Sequence, residues 1–201
     1  MKRNWLIAAG LLAGAHFLIG IIVVGLLMPG YEPARQFVSE LGAIGAPTAP
    51  LLNYAVLLPA GALILASGLG RVLAGEVLSG ILIAGSGTGF ILAGLYSCDE
   101  GCGFANMSPA AMIHNQAAFG AFIAAILAAL ILALGALRRH RWRAAISAAG
   151  AMGMIGGLGS MMQLGLASEW IGLAQRGFLF SFCLWIAADS ALRFRAGRVK
   201  R

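Results

Sequence analysis

The chain has 201 residues, of which 60% are hydrophobic and 10% charged, and its formal net charge is +7. Soluble domains carry about 25% charged residues, so this composition excludes an ordinary soluble protein and is typical of a membrane protein. The basic surplus does not indicate a nucleic-acid partner, because most of the cations lie in short clusters beside apolar runs, the positive-inside pattern of membrane proteins.

Six apolar runs follow one another along the sequence, and each is long enough to cross a membrane. They predict helices over about residues 5–28, 51–70, 76–97, 109–137, 144–166 and 170–192. The first run is too long for the apolar region of a signal peptide, so it is interpreted as an uncleaved helix. The expected fold is an all-α, polytopic six-helix bundle that forms a single membrane domain over residues 1–201.

Prolines predict three local features of this bundle. Pro33 suits the first position of a helix, so we expect a short interfacial helix from Pro33 to Leu41, between the first two membrane helices. Pro59 lies inside the second membrane helix and should kink it, because it cannot donate to the helical ladder. Ser108 followed by Pro109 predicts the N-cap of the fourth membrane helix.

Charge is distributed unevenly between the two ends of the predicted bundle. Six crossings place both termini at one end, together with twelve of the 14 cations: Lys2, Arg3, Arg71, Arg138, Arg139, Arg141, Arg143, Arg193, Arg195, Arg198, Lys200 and Arg201. Five of the seven acids fall at the other end: Glu32, Glu40, Asp99, Glu100 and Glu169. The pattern predicts a plasma or inner membrane protein with both termini cytoplasmic and anionic lipid as the neighbour of its cytoplasmic face, and it leaves the oligomeric state open.

Arg176 is the most costly polar group at the predicted outer end. It lies in the sixth helix, roughly 9 Å below the helix start at about 1.5 Å per residue. An arginine at the bilayer centre costs about 2.5–3.5 kcal/mol on insertion scales, so we expect a carboxylate partner or a bound anion. Glu40 is the first choice of partner, with Asp99 and Glu100 as alternatives. A buried pair that closes the bundle and a ligand-binding site both stay open as interpretations.

His114 near the start of the fourth helix has three interpretations. It is a hydrogen-bonded structural histidine, an acid/base at an outward-facing site, or a metal ligand together with Asp99, Glu100 or cysteine thiolates. The candidate catalytic residues are His114, Glu40 and Asp99. The candidate ligand-binding residues are Arg176, Gln175, Ser39, Glu40, Asn115 and Arg35. No cofactor is expected, and the metal site is the minority interpretation.

The remaining polar groups are the cysteines, the histidine of the first helix and an acid of the sixth helix. Cys98 and Cys102 lie in a loop on the predicted outer side, where a structural disulfide is favoured over free thiols or a redox-active pair. His16 falls near the bilayer midplane and is expected to bond a hydroxyl of another helix; a haem ligand is the weaker alternative. Asp189 is expected to pair with the basic turn, Arg138 to Arg143, or with the basic tail, Arg193 to Arg201, and Cys183 to pack as a small apolar residue.

Several short motifs spread along the chain form a familiar set. They are Pro29-Gly30-Tyr31, the segment Pro33-x-Arg35-Gln36-x-x-Ser39-Glu40-Leu41-Gly42, Cys98-Asp99, His114-Asn115 and Gln175-Arg176. With this set the sequence resembles the bacterial and archaeal "domain of unknown function" family numbered 998. The resemblance implies a six-helix integral membrane protein and supports the choice of residues, but it names no chemistry.

Three functions are compatible with these residues. The first is binding or moving a lipid headgroup or a small polar or anionic ligand, with Arg176 contacting the anion. The second is a membrane-embedded lipid hydrolase or transferase that uses His114 as acid/base. The third is a structural or accessory subunit, in which the polar groups satisfy one another and leave no cavity.

Overall fold

The computed structural model describes residues 2–137, 140–165 and 168–199, and it contains no strand within these ranges. Six of its helices are long and apolar enough to cross a membrane, the second of them being Leu51–Val72. The α-helices are α1 Lys2–Leu27, α2 Leu58–Val72, α3 Val77–Leu95, α4 Pro109–Ala136, α5 Arg141–Leu164 and α6 Ile171–Val199. The predicted all-α fold with six membrane-length helices is confirmed.

The six helices form a closed ring. Each helix packs against the next along the chain, and α6 returns to pack against α1. The middle of the ring is filled by buried aromatic side chains: Phe17, Phe90, Phe122, Phe178, Phe182 and Trp185. The closest pair of rings is that of Phe122 and Phe178, whose centroids are 4.1 Å apart. This aromatic core fills the middle of the bundle with side chains, as in the packed interior of a soluble protein.

Glycines allow the closest helix contacts in the ring. A Cβ atom on Gly157 of α5 would lie 2.8 Å from the Cα atom of Phe178 in α6. A Cβ atom on Gly87 of α3 would lie 2.5 Å from the backbone nitrogen of Leu65 in α2. Close backbone approach through small residues is the usual way in which membrane helices pack, and here it serves contacts within one chain.

The predicted short helix from Pro33 to Leu41 is wrong in its extent. The segment forms turns and then a 3₁₀ helix, Val38–Gly42. Donors of α6 take the backbone oxygens that an α-helix would use internally: Arg176 Nη1 bonds the oxygens of Pro33 and Gln36 at 2.5 and 3.0 Å. The backbone N–H of Leu173 donates to the oxygen of Ala34 at 3.2 Å. These tertiary bonds outweigh the local preference for a helix.

Pro59 changes the helical register of the second span and also provides the partner of His16. A π-helical stretch, Leu51–Leu57, precedes α2, and the N–H of Leu58 donates to the oxygen of Asn53, five residues back. Pro59 has no N–H to donate to the oxygen four residues back, that of Ala55. His16 Nε2 donates to this oxygen at 3.0 Å. The hydroxyl partner expected for His16 is therefore wrong: the partner is a carbonyl oxygen that the proline leaves available.

The N-cap predicted at the start of α4 is confirmed, since Ser108 Oγ accepts a hydrogen bond from the N–H of Ala111 at 3.1 Å.

Several cations of the predicted charge pattern lie outside the described residues or side chains: Lys2, Arg3, Arg138, Arg139, Arg198, Lys200 and Arg201.

Candidate functional site

A cavity of about 310 Å³ lies among α4, α5, α6 and the loops at one end of the bundle. Its volume falls in the usual range of small-molecule sites, about 300–1,000 Å³. Nine of the fourteen lining residues are apolar, a tenth is Cys102, and none is charged. The lining consists of Phe37, Ser39, Cys102, Phe104, His114, Asn115, Ala118, Phe119, Phe122, Leu158, Met161, Met162, Ile171 and Gln175.

The mouth of the cavity is apolar. Three lining residues are exposed, and we take the part of the cavity that they line as its mouth: Phe104, Phe119 and Met162 are 56%, 50% and 73% exposed. Phe119 belongs to α4 and Met162 to α5, which are both membrane-length helices. Because the exposed faces of such helices meet lipid acyl chains, this opening suits apolar material better than charged solutes.

His114 is the most constrained polar group of the cavity. Its Nδ1 atom lies 2.9 Å from the oxygen of Ala93 and 2.9 Å from that of Tyr96, at the C-terminal end of α3. Helix ends leave carbonyl oxygens without an internal partner, and these can only accept. Nδ1 therefore carries the proton of the neutral ring. Nε2 has no partner among the described residues and is not sealed from the cavity, so its lone pair is open to a ligand.

Gln175 and Ser39 contribute further hydrogen-bonding groups. The backbone N–H of Val38 donates to Gln175 Oε1 at 2.6 Å, which fixes the orientation of this amide. The NH₂ group of Gln175 and the hydroxyl of Ser39 have no partner in the described part of the chain. Asn115 Nδ2 donates to Met107 Sδ at 3.0 Å, which leaves its second N–H and its oxygen without a partner among the described residues. The cavity thus presents several neutral polar groups with unused hydrogen-bonding capacity.

A smaller space of about 40 Å³ adjoins the main cavity on the side of the aromatic core. Ser39, His114 and Gln175 line both spaces, as do Ala118 and Phe122. The three polar side chains therefore lie at the junction of the two spaces, away from the apolar mouth. We call Ser39, His114 and Gln175 the polar trio.

The loop after α3 forms one edge of the cavity through Cys102. The sulfur atoms of Cys98 and Cys102 lie at disulfide distance, and their Cα atoms are 5.1 Å apart. The N–H of Ile44 donates to the oxygen of Cys98 at 2.9 Å, which joins this loop to the segment after α1. Asp99 Oδ2 accepts the N–H of Ser108 at 2.8 Å, and this bond holds the pKa of Asp99 below its ordinary value.

Arg176 does not have the carboxylate partner predicted for it. No ion pair involves Arg176 among the described residues; its guanidinium bonds the oxygens of Pro33, Gln36 and Gly172 and the hydroxyl of Tyr31. It also lies over the Tyr31 ring, 5.2 Å from the centroid. Burial raises the pKa of Tyr31 and outweighs the opposing effect of Arg176. Arg176 therefore ties α6 to the segment after α1, and its hydrogen bonds are made within the chain.

The other charged candidates also lie outside the cavity lining. Glu40 accepts hydrogen bonds from the N–H of Phe37 at 2.7 Å and from Gln36 Nε2 at 3.0 Å. Arg35 forms exposed ion pairs with Glu32 and Glu169. Both residues stabilise the loops at this end of the bundle through these contacts.

The predicted site residues therefore separate into two groups. Four neutral ones line the cavity together: Ser39, His114, Asn115 and Gln175. Four charged ones do not: Arg35, Glu40, Asp99 and Arg176. The described residues contain no group of three His, Cys, Asp or Glu side chains that could hold a metal ion, so His114 with Asp99 or Glu100 does not form such a group.

A second polar cluster lies at the opposite end of the bundle. It joins α2, the start of α3, α5 and α6, and we call it the inner charge cluster: Arg71, Glu76, Arg143, Asp189 and Arg193. Asp189 is fully buried and lies 2.7 Å from both Arg71 Nη2 and Arg143 Nε. Its predicted pairing with the basic turn is confirmed by Arg143. Burial opposes ionisation of Glu76, but Arg143, Arg71 and Arg193 together hold its pKa below the ordinary value.

The sequence did not reveal the apolar wall of the cavity. Phe119, Phe122, Leu158, Met161 and Met162 form much of it. Each lies in a helix that is apolar throughout, so hydrophobicity cannot separate cavity-lining positions from packed or lipid-facing ones. The one usable signal is the pair of consecutive methionines on α5, because methionine is common on adaptable binding surfaces.

The fold and the cavity define a multi-pass membrane protein with a polar group set in an apolar chamber near one end. A family model described as "Protein of unknown function (DUF998)" matches residues 11–191, and the chain belongs to that family. The resemblance in the sequence motifs is confirmed. Neither a curated protein nor a solved structure matches the chain.

Proposed function

We propose that this protein binds an amphipathic, lipid-like molecule in the cavity described above. The observation that carries the proposal is the arrangement of the lining, with the polar trio at the inner end and exposed apolar side chains at the mouth. An apolar chamber with a few converging polar groups is the usual form of a small-molecule site. The chemistry of the lining matches a molecule with an apolar tail and a compact polar end.

An anion held by Arg176, the form of ligand binding suggested by the sequence, has less support. Its guanidinium is used by backbone oxygens and Tyr31, and it is not part of the cavity lining. Binding an anion there would require the segment from Tyr31 to Gln36 to give up these hydrogen bonds. The proposal therefore places the ligand against His114 and its neighbours.

A cavity-filling substitution tests the proposal. Ala118 lines both spaces, so Ala118→Phe puts a ring where the ligand would lie. Leu127→Phe is the matched control, because Leu127 is on the same helix and 44% exposed. Native mass spectrometry of protein released from membranes in mild detergent measures the fraction with bound lipid. We expect Ala118→Phe to lower this fraction about tenfold, since overpacking costs about 1–3 kcal/mol. Equal lipid binding by wild type and both variants would refute the proposal.

A second function, a lipid hydrolase or transferase, is favoured by the fixed tautomer of His114. A histidine whose Nδ1 donates to an oxygen and whose Nε2 faces a ligand is arranged as a general base, and the hydroxyl of Ser39 lines the same space. Incubating the protein with a medium-chain acyl ester and following release of the acid tests this. Activity that is lost in both His114→Gln and Ser39→Ala supports an enzyme, and no turnover by the wild type contradicts it.

We also propose that both termini and the inner charge cluster face the cytoplasm, so that the cavity lies in the outer half of the membrane and anionic lipid surrounds the other end. Six crossings put the termini on one side, and the exposed basic residues near them, such as Arg141 and Arg195, support the assignment. A cysteine introduced in the loop after α3, in a Cys98→Ser/Cys102→Ser background, should react with a membrane-impermeant maleimide in intact cells. Labelling only after lysis would reverse the orientation.

A further inference from the structure

The polar trio also constrains which polar end the cavity accepts; this step rests on the proposed function. His114 offers one acceptor, because its Nδ1 proton is committed to two backbone oxygens. Gln175 offers its two N–H donors, because the bond from the N–H of Val38 to its oxygen fixes the orientation of the amide. Ser39 can donate or accept. A group that both donates to His114 and accepts from Gln175 satisfies all three.

Charge at the junction is disfavoured by the same arrangement. None of the fourteen lining side chains carries a formal charge, and the charged candidates of the sequence have other partners: Arg35, Glu40, Asp99 and Arg176. Burying an ionised group without a partner of opposite charge is far more costly than burying a neutral hydroxyl. No lining carboxylate is present to stabilise a protonated His114, which would be needed to attract an anion.

The position of the trio fixes the direction of the ligand. The trio is at the inner junction, whereas Phe104, Phe119 and Met162 at the mouth are exposed and apolar. A tail directed outward past these residues contacts lipid or apolar side chains along its length. The polar end then lies inside the protein, beside α4 and α6, and the small inner space has room for about one water next to it.

We infer that the cavity binds long-chain molecules that end in an uncharged hydroxyl more tightly than molecules of equal chain length that end in a carboxylate or a phosphate. The hydroxyl donates to His114 Nε2 and accepts from Gln175. The chemical class is a fatty or isoprenoid alcohol, held with its hydroxyl inward and its chain toward the bilayer.

Four probes of equal chain length test this: 1-dodecanol, dodecanoate, dodecyl phosphate and dodecane. The full chain is reconstituted in phosphatidylcholine nanodiscs, and competition of each probe against a fluorescent alkyl probe gives its apparent Kd. We expect dodecanol to bind about tenfold more tightly than each of the other three, because the other three ends leave hydrogen-bonding groups of the polar trio unpaired. His114→Phe keeps an aromatic ring and removes the acceptor, so it should abolish the preference over dodecane. Ser39→Ala is the milder second variant and should reduce it.

The outcomes separate this inference from the proposed function. Tighter binding of dodecanoate or dodecyl phosphate than of dodecanol overturns the hydroxyl assignment while the cavity remains a binding site. Equal binding of all four probes also overturns the hydroxyl assignment. So does a preference for dodecanol that is unchanged in folded His114→Phe and Ser39→Ala. If no probe competes with the fluorescent one in wild type, both the inference and the proposed function fail.

Discussion

Asp189→Asn is the most direct test of the energetics at the inner end of the bundle. The carboxylate is fully buried, and each of its oxygens lies 2.7 Å from a nitrogen of a different arginine, Arg71 or Arg143. The substitution keeps the shape of the side chain and removes its charge. The inner charge cluster then has three guanidinium groups and one carboxylate, where the wild type has three and two.

The expected loss of stability follows from these two contacts. Hydrogen bonds to charged groups contribute about 1.5–3 kcal/mol each, so two give about 3–6 kcal/mol. Breaking one partner of a buried ion pair costs about 3–5 kcal/mol in other proteins, because the remaining charge is left without compensation. We therefore expect Asp189→Asn to lower the free energy of unfolding by about 3–5 kcal/mol. Glu169→Gln is the control: it removes an ion pair with Arg35 in which the Glu169 side chain is 64% exposed, and it should cost at most about 1 kcal/mol.

Equilibrium unfolding in mixed micelles, followed by near-ultraviolet circular dichroism, measures both variants against wild type. A double variant, Arg71→Gln with Asp189→Asn, should lose less than the sum of the single losses, since contacting charges couple by about 0.5–3 kcal/mol. The reasoning is refuted if Asp189→Asn is no less stable than Glu169→Gln, or if the two changes in the double variant are additive.

Four further predictions concern other parts of the molecule. Because the folded-state pKa of Glu76 lies below its ordinary value of 4.5, its contribution to stability is present above pH 4.5 and lost as the pH falls below it; pH-dependent unfolding of wild type and Glu76→Gln should show a weaker dependence in the variant. Gly87→Ala should lose about 1–3 kcal/mol of unfolding free energy because of its close contact with α2, whereas Gly85→Ala, with nothing within 4 Å, should be neutral or gain up to about 1 kcal/mol. Tyr31→Phe removes a 2.8 Å bond to the oxygen of Phe37 and an acceptor for a guanidinium, and thermal unfolding should show a loss of about 1–3 kcal/mol. Alkylation of the denatured chain followed by mass spectrometry should modify one of the three cysteines before reduction and all three after it; three before reduction would contradict the disulfide.

The six membrane helices could be predicted because burial in lipid requires long apolar runs, and no packing detail is needed to find them. The N-cap at Ser108 could also be predicted from the sequence, because the capping hydroxyl bonds an N–H in the first turn of the helix that it begins. The prediction of a short helix beginning at Pro33 was wrong because this segment is shaped by tertiary contacts. Its backbone oxygens bond donors of α6 that are more than a hundred residues away, and local propensity contains no information on them.

The carboxylate partner expected for Arg176 was wrong because backbone oxygens were not considered as partners. A buried guanidinium can be satisfied by backbone oxygens wherever a segment leaves them unused, and such oxygens belong to every residue type. His16 shows the same effect, since its partner is the oxygen of Ala55, left available by Pro59. Polar residues near one end of the bundle could be found from the sequence, but the side to which each of them turns depends on tertiary contacts.

The difference in cost between charged and neutral polar groups also explains where the candidate site lies. In a bundle surrounded by lipid, a charged side chain without a partner is costly, and among the described residues the buried and half-buried charges of the inner charge cluster and the half-buried Arg176 all have partners. A neutral dipole open to a cavity costs much less, so its hydrogen-bonding capacity can be left for a ligand. The lone pair of His114 and the amide of Gln175 are such groups, each oriented by a bond to the backbone. Their unused capacity, rather than the conspicuous charges of the sequence, is therefore the basis on which we propose the binding site, and it favours a ligand that is uncharged where it meets them.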